Sequence, residues 1–182
     1  MNFIEFKDAL KEFTLFSLSD MRALDKKFCG RRLHEWQKKG YIKKIVRGYY
    51  YFSDLKIDEN DLFEIANKIY SPSYVSFEMA ISHYGLIPES VYGVTSVSTK
   101  KTYSFKTPIA EFSYKSILPS LFWGYEIKRK GTQSFKIASP EKAVLDYFYM
   151  NPAVKTQNDF ESLRFDKDTF FRIIKLKKLR TY

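Results

Sequence analysis

The sequence predicts an α+β protein. Two observations point to this class. Apolar residues recur at helical spacing through most of the first ninety residues and again near the end. Between them lies a block, from about residue 91 to 138, rich in β-branched and aromatic residues and punctuated by polar turns. A third observation divides the chain by charge. Residues 1–52 carry 12 Lys and Arg against 6 Asp and Glu, residues 53–150 carry 11 against 11, and residues 151–182 carry 8 against 4, within a net charge of +10. A basic head beside a neutral middle suggests a polyanion-binding module joined to a part with another task.

The elements follow in order. Phe6, Leu10 and Phe13 sit on one helical face, so residues 3–13 read as an amphipathic helix. Ser17 and Asp20 form a capping-box pair, with Asp in place of Glu, ahead of a second helix bearing Leu18, Met21, Leu24 and Phe28. Gly30 breaks it. A third helix runs from about Arg31 to Lys39, and Gly40 is placed as its C′ residue. A hairpin follows, Tyr41–Val46 and Tyr49–Phe52, turning at Arg47-Gly48, where Gly supplies a positive φ. Alternation sends at least one of Tyr49, Tyr50 and Tyr51 into a core.

Asp54–Asp61 reads as a linker, and Asn60 as the cap of a helix with Leu62, Ile65, Ala66 and Ile69 that ends at Ser71-Pro72-Ser73. Another helix carries Phe77, Ala80, Ile81 and Tyr84 and stops at Gly85. Strands are expected at Val91–Thr99, Thr102–Thr107, Glu111–Ile117, Leu121–Lys128 and Gln133–Ala138, with a turn at Arg129–Thr132. Ser139-Pro140 opens a helix with a capping Ser and a first-turn Pro. A last helix spans about Asp168 to Lys178. The full expectation is an N-terminal head at 1–53, then a mixed α/β domain at 60–182 with a mostly antiparallel sheet and a C-terminal helix.

At 100° per residue, the third helix turns Leu33 and Trp36 inward and Arg31, His34, Glu35 and Lys38 outward, with Arg32 and Lys39 flanking. A basic helix followed directly by a basic hairpin is the layout of a winged helix-turn-helix, which fits a DNA groove. Arg31, Arg32, His34, Glu35, Lys38, Lys39, Lys43, Lys44 and Arg47 are therefore the candidate DNA-binding residues. Arg bonds guanine O6 and N7 in pairs, and Glu accepts from cytosine N4. Lys43, Lys44 and Arg47, on the hairpin, would hold phosphates. The plainer reading of Glu35 is an i±4 ion pair with Arg31 or Lys39.

Composition narrows the rest. At 182 residues and 45% hydrophobic, the chain can bury a core, and no apolar run approaches the ~20 residues that span a bilayer. Acids interrupt the apolar residues at the start, so a secretion signal is not expected and the protein reads as cytoplasmic. Cys29 is the single cysteine and reads as a small buried filler. His34 and His83 are not spaced as a metal pair, and the glycines form no phosphate loop, so no metal, cofactor or catalytic residue is assigned.

Two other functions suit particular residues. Glu126 and Lys128 form a Glu-x-Lys on a strand, the pattern of a metal-dependent nuclease, but such sites also need an earlier acid, commonly an Asp, and no Asp lies between Asp61 and Glu126; an alternating surface strand explains it more simply. The aromatic-rich strands would also suit stacking on unpaired RNA bases, against the plainer reading that they fill the core.

Several motifs occur in order along the chain: Arg32-Leu33, Trp36, Lys38-Lys39-Gly40-Tyr41-Ile42 and Arg47-Gly48-Tyr49-Tyr50; then Ser73-Tyr74-Val75-Ser76, Ala80 and Tyr84-Gly85-Leu86-Ile87-Pro88-Glu89; then Thr95–Thr102, Phe122–Tyr125 and Ile137-Ala138-Ser139-Pro140-Glu141-Lys142-Ala143-Val144-Leu145-Asp146. Over most of residues 30–150 this set resembles the AbiEi-type antitoxins. The resemblance implies a type IV toxin–antitoxin antitoxin, with a DNA-binding head that represses its own operon at promoter inverted repeats and a second domain needed for neutralisation. It implies as functional partner a nucleotidyltransferase toxin of AbiEii type, countered without a stable complex. A stand-alone winged-helix regulator without antitoxin activity is the alternative.

Overall fold

The computed structural model describes residues 1–89, 91–131 and 133–181. It is a mixed α and β protein with two sheets and two hydrophobic cores. No helix among the described residues is long and apolar enough to cross a membrane.

The head begins with α1 (Phe3–Ala9), closed at its start by an Asn2–Glu5 capping box. It is shorter than the helix expected to Phe13: Leu10 caps it, and Phe13 is 41% exposed. β1 (Phe16–Ser17), which the sequence did not suggest, leads into α2 (Leu18–Leu24), held by the expected Ser17–Asp20 box. α2 ends at Leu24, itself 41% exposed, and Phe28 reaches the core from the loop beyond. α3 (Arg31–Lys38) follows and terminates at Gly40 (φ +72°) in a Schellman motif, with Gly40 N–H donating to the Gln37 carbonyl and Tyr41 N–H to the Trp36 carbonyl. β2 (Ile42–Val46) and β3 (Tyr49–Phe52) pair antiparallel around Arg47 and Gly48 (φ +92°). β1 joins β3 on its other side, giving the order β1-β3-β2.

This small sheet is buried on both faces. Phe16, Ile42 and Phe52 enter the head core with Phe6, Met21, Phe28, Leu33 and Trp36. Leu15, Ile45 and Tyr51 enter the second, larger core. Alternation along β3 thus splits the Tyr-Tyr-Tyr-Phe run between two cores, and a bulge between Lys44 and Val46 accommodates Ile45.

The second part begins with α4 (Glu59–Ile69). Its cap is Asp58, not Asn60, in a reciprocal box with Asp61. After α4 come β4 (Ser73–Val75), α5 (Phe77–His83), β5 (Val94–Ser98), β6 (Tyr103–Lys106), β7 (Glu111–Ser116), a 3₁₀ turn at Pro119–Leu121, β8 (Tyr125–Lys130) and β9 (Gln133–Ala138). β8 thus starts later than expected. The turn expected at Arg129–Thr132 is shorter, since β8 runs to Lys130, and Thr132 lies outside the described residues. The order is β6-β7-β5-β4-β9-β8. The β4–β5, β6–β7 and β8–β9 pairs are antiparallel, while β5–β7 and β4–β9 are parallel.

α4 packs on one face of this sheet, where the Tyr114 hydroxyl donates to the Ala66 carbonyl. α6 (Pro140–Met150) covers the opposite face together with α5, and starts as expected with Ser139 capping and Pro140 in the first turn. The tail forms α7 (Gln157–Ser162), α8 (Lys167–Ile173) and α9 (Leu176–Thr181), in place of the single last helix expected from Asp168 to Lys178. The chain extends at Ile174, which is buried, and this lets Lys175 N–H donate to the Glu141 carboxylate.

Candidate nucleic-acid interface

α3 is strongly amphipathic. Leu33 (4% exposed) and Trp36 (5%) anchor it in the head core. Trp36 packs edge-on to Phe3 and Phe6, with ring centroids 5.0 and 5.6 Å away. Fixing one face fixes the other: Arg31, His34, Glu35, Lys38 and Lys39 are all exposed. Among the described residues none of Arg31, Lys38 and Lys39 forms an ion pair, and neither does Glu35, so the i±4 pairing considered for Glu35 is not made.

Arg32 behaves differently. It is half-buried, and its guanidinium lies 5.2 Å from the Trp36 ring centroid and 5.4 Å from that of Phe28. It roofs the aromatic core rather than facing solvent with its neighbours. Hydrogen bonds from the N-terminal ammonium and the Lys27 N–H hold the Asp25 carboxyl below its ordinary value, with the Arg32 charge the last contribution.

On the hairpin, Lys43, Lys44 and Arg47 are exposed and without ion pairs among the described residues. Lys43 stands opposite Tyr51 and Lys44 opposite Tyr50, so the two lysines leave opposite faces of the ribbon. β2 is the edge of its sheet, from which both long stems can reach outward. Cys29, expected to be buried, is exposed; it lies in the loop before α3, where the adjacent Phe28 takes the interior position at 3% exposure.

Glu126 and Lys128 form a 3.0 Å ion pair with each other on β8, the other edge of the large sheet, and both are about half exposed. Among the described residues no group of three His, Cys, Asp or Glu side chains is placed to hold a metal. His83 bonds Glu59 at 3.0 Å.

No protein-family model matches the chain, and no curated protein matches it.

A buried polar cluster escaped the sequence reading. Asp146 accepts from the hydroxyls of Tyr74 (2.9 Å) and Ser76 (2.7 Å) and from the Lys142 ammonium (2.5 Å). Burial raises the Asp146 carboxyl above the usual carboxylate range, against the opposing pull of Lys142, Ser76 and Tyr74. Burial and the Asp146 charge together drive the Tyr74 hydroxyl far upward. The Lys142 ammonium also sits 4.6 Å from the Trp123 ring centroid. With every group satisfied, the cluster fastens β4 to α6. The only sequence signal was Lys142 and Asp146 at i, i+4, which reads equally as a solvated pair.

Proposed function

We propose that this chain is a DNA-binding transcriptional repressor and the antitoxin of a type IV toxin–antitoxin system, which represses its own operon at inverted repeats in the promoter. In this reading α2, α3 and the β2–β3 hairpin act as a winged helix-turn-helix, with α3 entering the major groove. Arg31, His34, Glu35 and Lys38 read bases. Lys39, Lys43, Lys44 and Arg47 hold phosphates, with Lys43 and Lys44 reaching from the two faces of the hairpin edge. Arg32 serves by bracing the helix on Trp36 and Phe28.

One observation carries the reading: the exposed face of α3 concentrates cations that no carboxylate of the described residues neutralises, directly beside a hairpin with the same property. Unneutralised cations on a shaped surface release counterions from a phosphate backbone and so favour binding to it. The antitoxin assignment rests on the ordered motifs from Ser73 to Asp146. The implied partner is a nucleotidyltransferase toxin of AbiEii type, countered in the cytoplasm without a stable complex.

Gel shifts on the DNA upstream of the gene test the repressor role. Lys44→Ala weakens binding to every duplex and lowers the salt slope by about 1, whereas Arg31→Ala costs ~1–3 kcal/mol and relaxes sequence preference. Both variants binding like wild type sinks the reading. Co-expression with a neighbouring nucleotidyltransferase tests the antitoxin role: growth is restored by the full chain and not by the head alone.

A further inference from the structure

We propose that the β6 end of the large sheet is a stacking platform for single-stranded RNA. β6 is the edge strand, and its Tyr103 and Phe105 share the sheet face on which α4 packs, since Tyr103 stands opposite Tyr114 and Phe105 opposite Phe112. α4 ends at Ile69, with Tyr70 as its C-cap residue, and stops short of this edge.

An aromatic step is left there. The Tyr70 and Tyr103 rings lie near-parallel, 6.1 Å apart with 15° between their planes. Phe105 stands edge-on to both, at 4.8 Å from Tyr103 and 6.0 Å from Tyr70. Tyr103 is 54% exposed. The Tyr70 hydroxyl donates to the Lys101 carbonyl at 2.7 Å, which fixes its ring and ties it to the β5–β6 turn. That turn carries the charge. The Lys100 ammonium lies 5.4 Å from the Tyr70 ring centroid, and Lys100 and Lys101 are exposed without an ion pair among the described residues. Glu111 stands opposite Lys106, on the other face of the sheet.

An exposed ring held rigid by a second ring suits a planar apolar partner, and ammonium groups beside it that pair with no carboxylate of the described residues suit a phosphate chain. A duplex hides its base faces, so the platform selects unpaired bases, which RNA loops and ends present. An extended peptide added along β6 would use its backbone and leave both the ring stack and the lysines without a role. The hairpin residues proposed to bind duplex belong to the other sheet, so competition by duplex distinguishes the two proposals.

The test is fluorescence anisotropy with a short labelled oligo(U) at low salt, alone and with excess unlabelled promoter duplex. The wild type binds oligo(U), and the duplex does not displace it. Tyr103→Ala weakens binding by about 5- to 100-fold. Tyr103→Ala also gives up its contacts with Tyr70 and Phe105, so binding is measured well below the melting temperature of the variant, where both proteins are folded. Tyr103→Trp retains affinity, and its indole fluorescence is quenched by oligo(U). Replacing Lys100 and Lys101 with Ala flattens the salt dependence. Absence of oligo(U) binding, complete displacement by duplex, unchanged affinity in Tyr103→Ala, or a preference for oligo(dT) over oligo(U) overturns the proposal.

Discussion

Thr14 and Glu64 are joined by a buried hydrogen bond: the Thr14 hydroxyl donates to the Glu64 carboxylate at 2.5 Å across fifty residues of sequence. Gln133 donates to the same hydroxyl at 2.6 Å, and Lys68 pairs with Glu64 at 2.8 Å. With Leu15, Ile45 and Tyr51 in the larger core, this node binds the head to α4 and β9 through packed surface. Thr14 and Glu64 are both buried, so loss of either leaves the other short of a partner away from water. Glu64→Ala and Thr14→Val are each expected to cost ~1–3 kcal/mol in urea denaturation, and the double variant less than the sum. Strict additivity would show that the node does not couple the two parts.

Arg32 and Arg31 adjoin in sequence and differ in environment. Arg32→Ala removes a cation from two aromatic rings and is expected to lower stability by ~1 kcal/mol. Arg31→Ala, on the exposed face, is expected to leave stability within ~0.5 kcal/mol of wild type. Thermal melts of the two variants make the comparison. Equal destabilisation would mean that the two side chains share one role.

The Lys142–Asp146 pair lies almost wholly out of water, with side chains 4% and 3% exposed. Lys142→Met strands a buried carboxylate and is expected to cost ~3–5 kcal/mol, whereas replacing both residues with apolar side chains is expected to recover much of that loss. A double variant no more stable than Lys142→Met, measured by urea denaturation, would contradict this account of the cluster.

Glu141 gives the fold an acid-sensitive clasp. Burial pushes its carboxyl up, but the Lys178 ammonium at 2.8 Å and the Lys175 N–H at 3.0 Å outweigh burial and bring it below the ordinary carboxylate value. A folded-state value below the unfolded one means that the stability Glu141 contributes is present above its unfolded value and is lost as pH falls through the folded one. The melting-temperature gap between wild type and Glu141→Gln is therefore expected to be present at neutral pH and to close on acidification. A gap that widens as pH falls would reverse the assignment.

Local chemistry was readable in advance wherever one residue type has one conformational use. Ser17 with Asp20, Gly40, Gly48 and Ser139-Pro140 mark boundaries found at those positions. Leu33 and Trp36 also turned inward as helical spacing requires. What was missed depends on distant partners. β1 and β4 are two and three residues long, too short to show a period, and β4 is buried along its whole length. The parallel β5–β7 and β4–β9 pairings arise from crossovers, which no local pattern encodes. The candidate interface was legible as charge on a helix face. The withdrawal of Arg32 onto Trp36 was not, because a helical wheel gives direction and says nothing of what a long side chain finds there.

Methylation interference at guanine N7 tests most directly whether the exposed face of α3 reads duplex DNA in the major groove, because that atom lies on the major-groove edge. Upstream DNA methylated at N7 is expected to be excluded from the complex at guanines in both arms of an inverted repeat, and Arg31→Ala is expected to lose interference at one guanine per arm. A complex that forms equally well on methylated DNA, or an interference pattern identical in wild type and Arg31→Ala, would contradict the account.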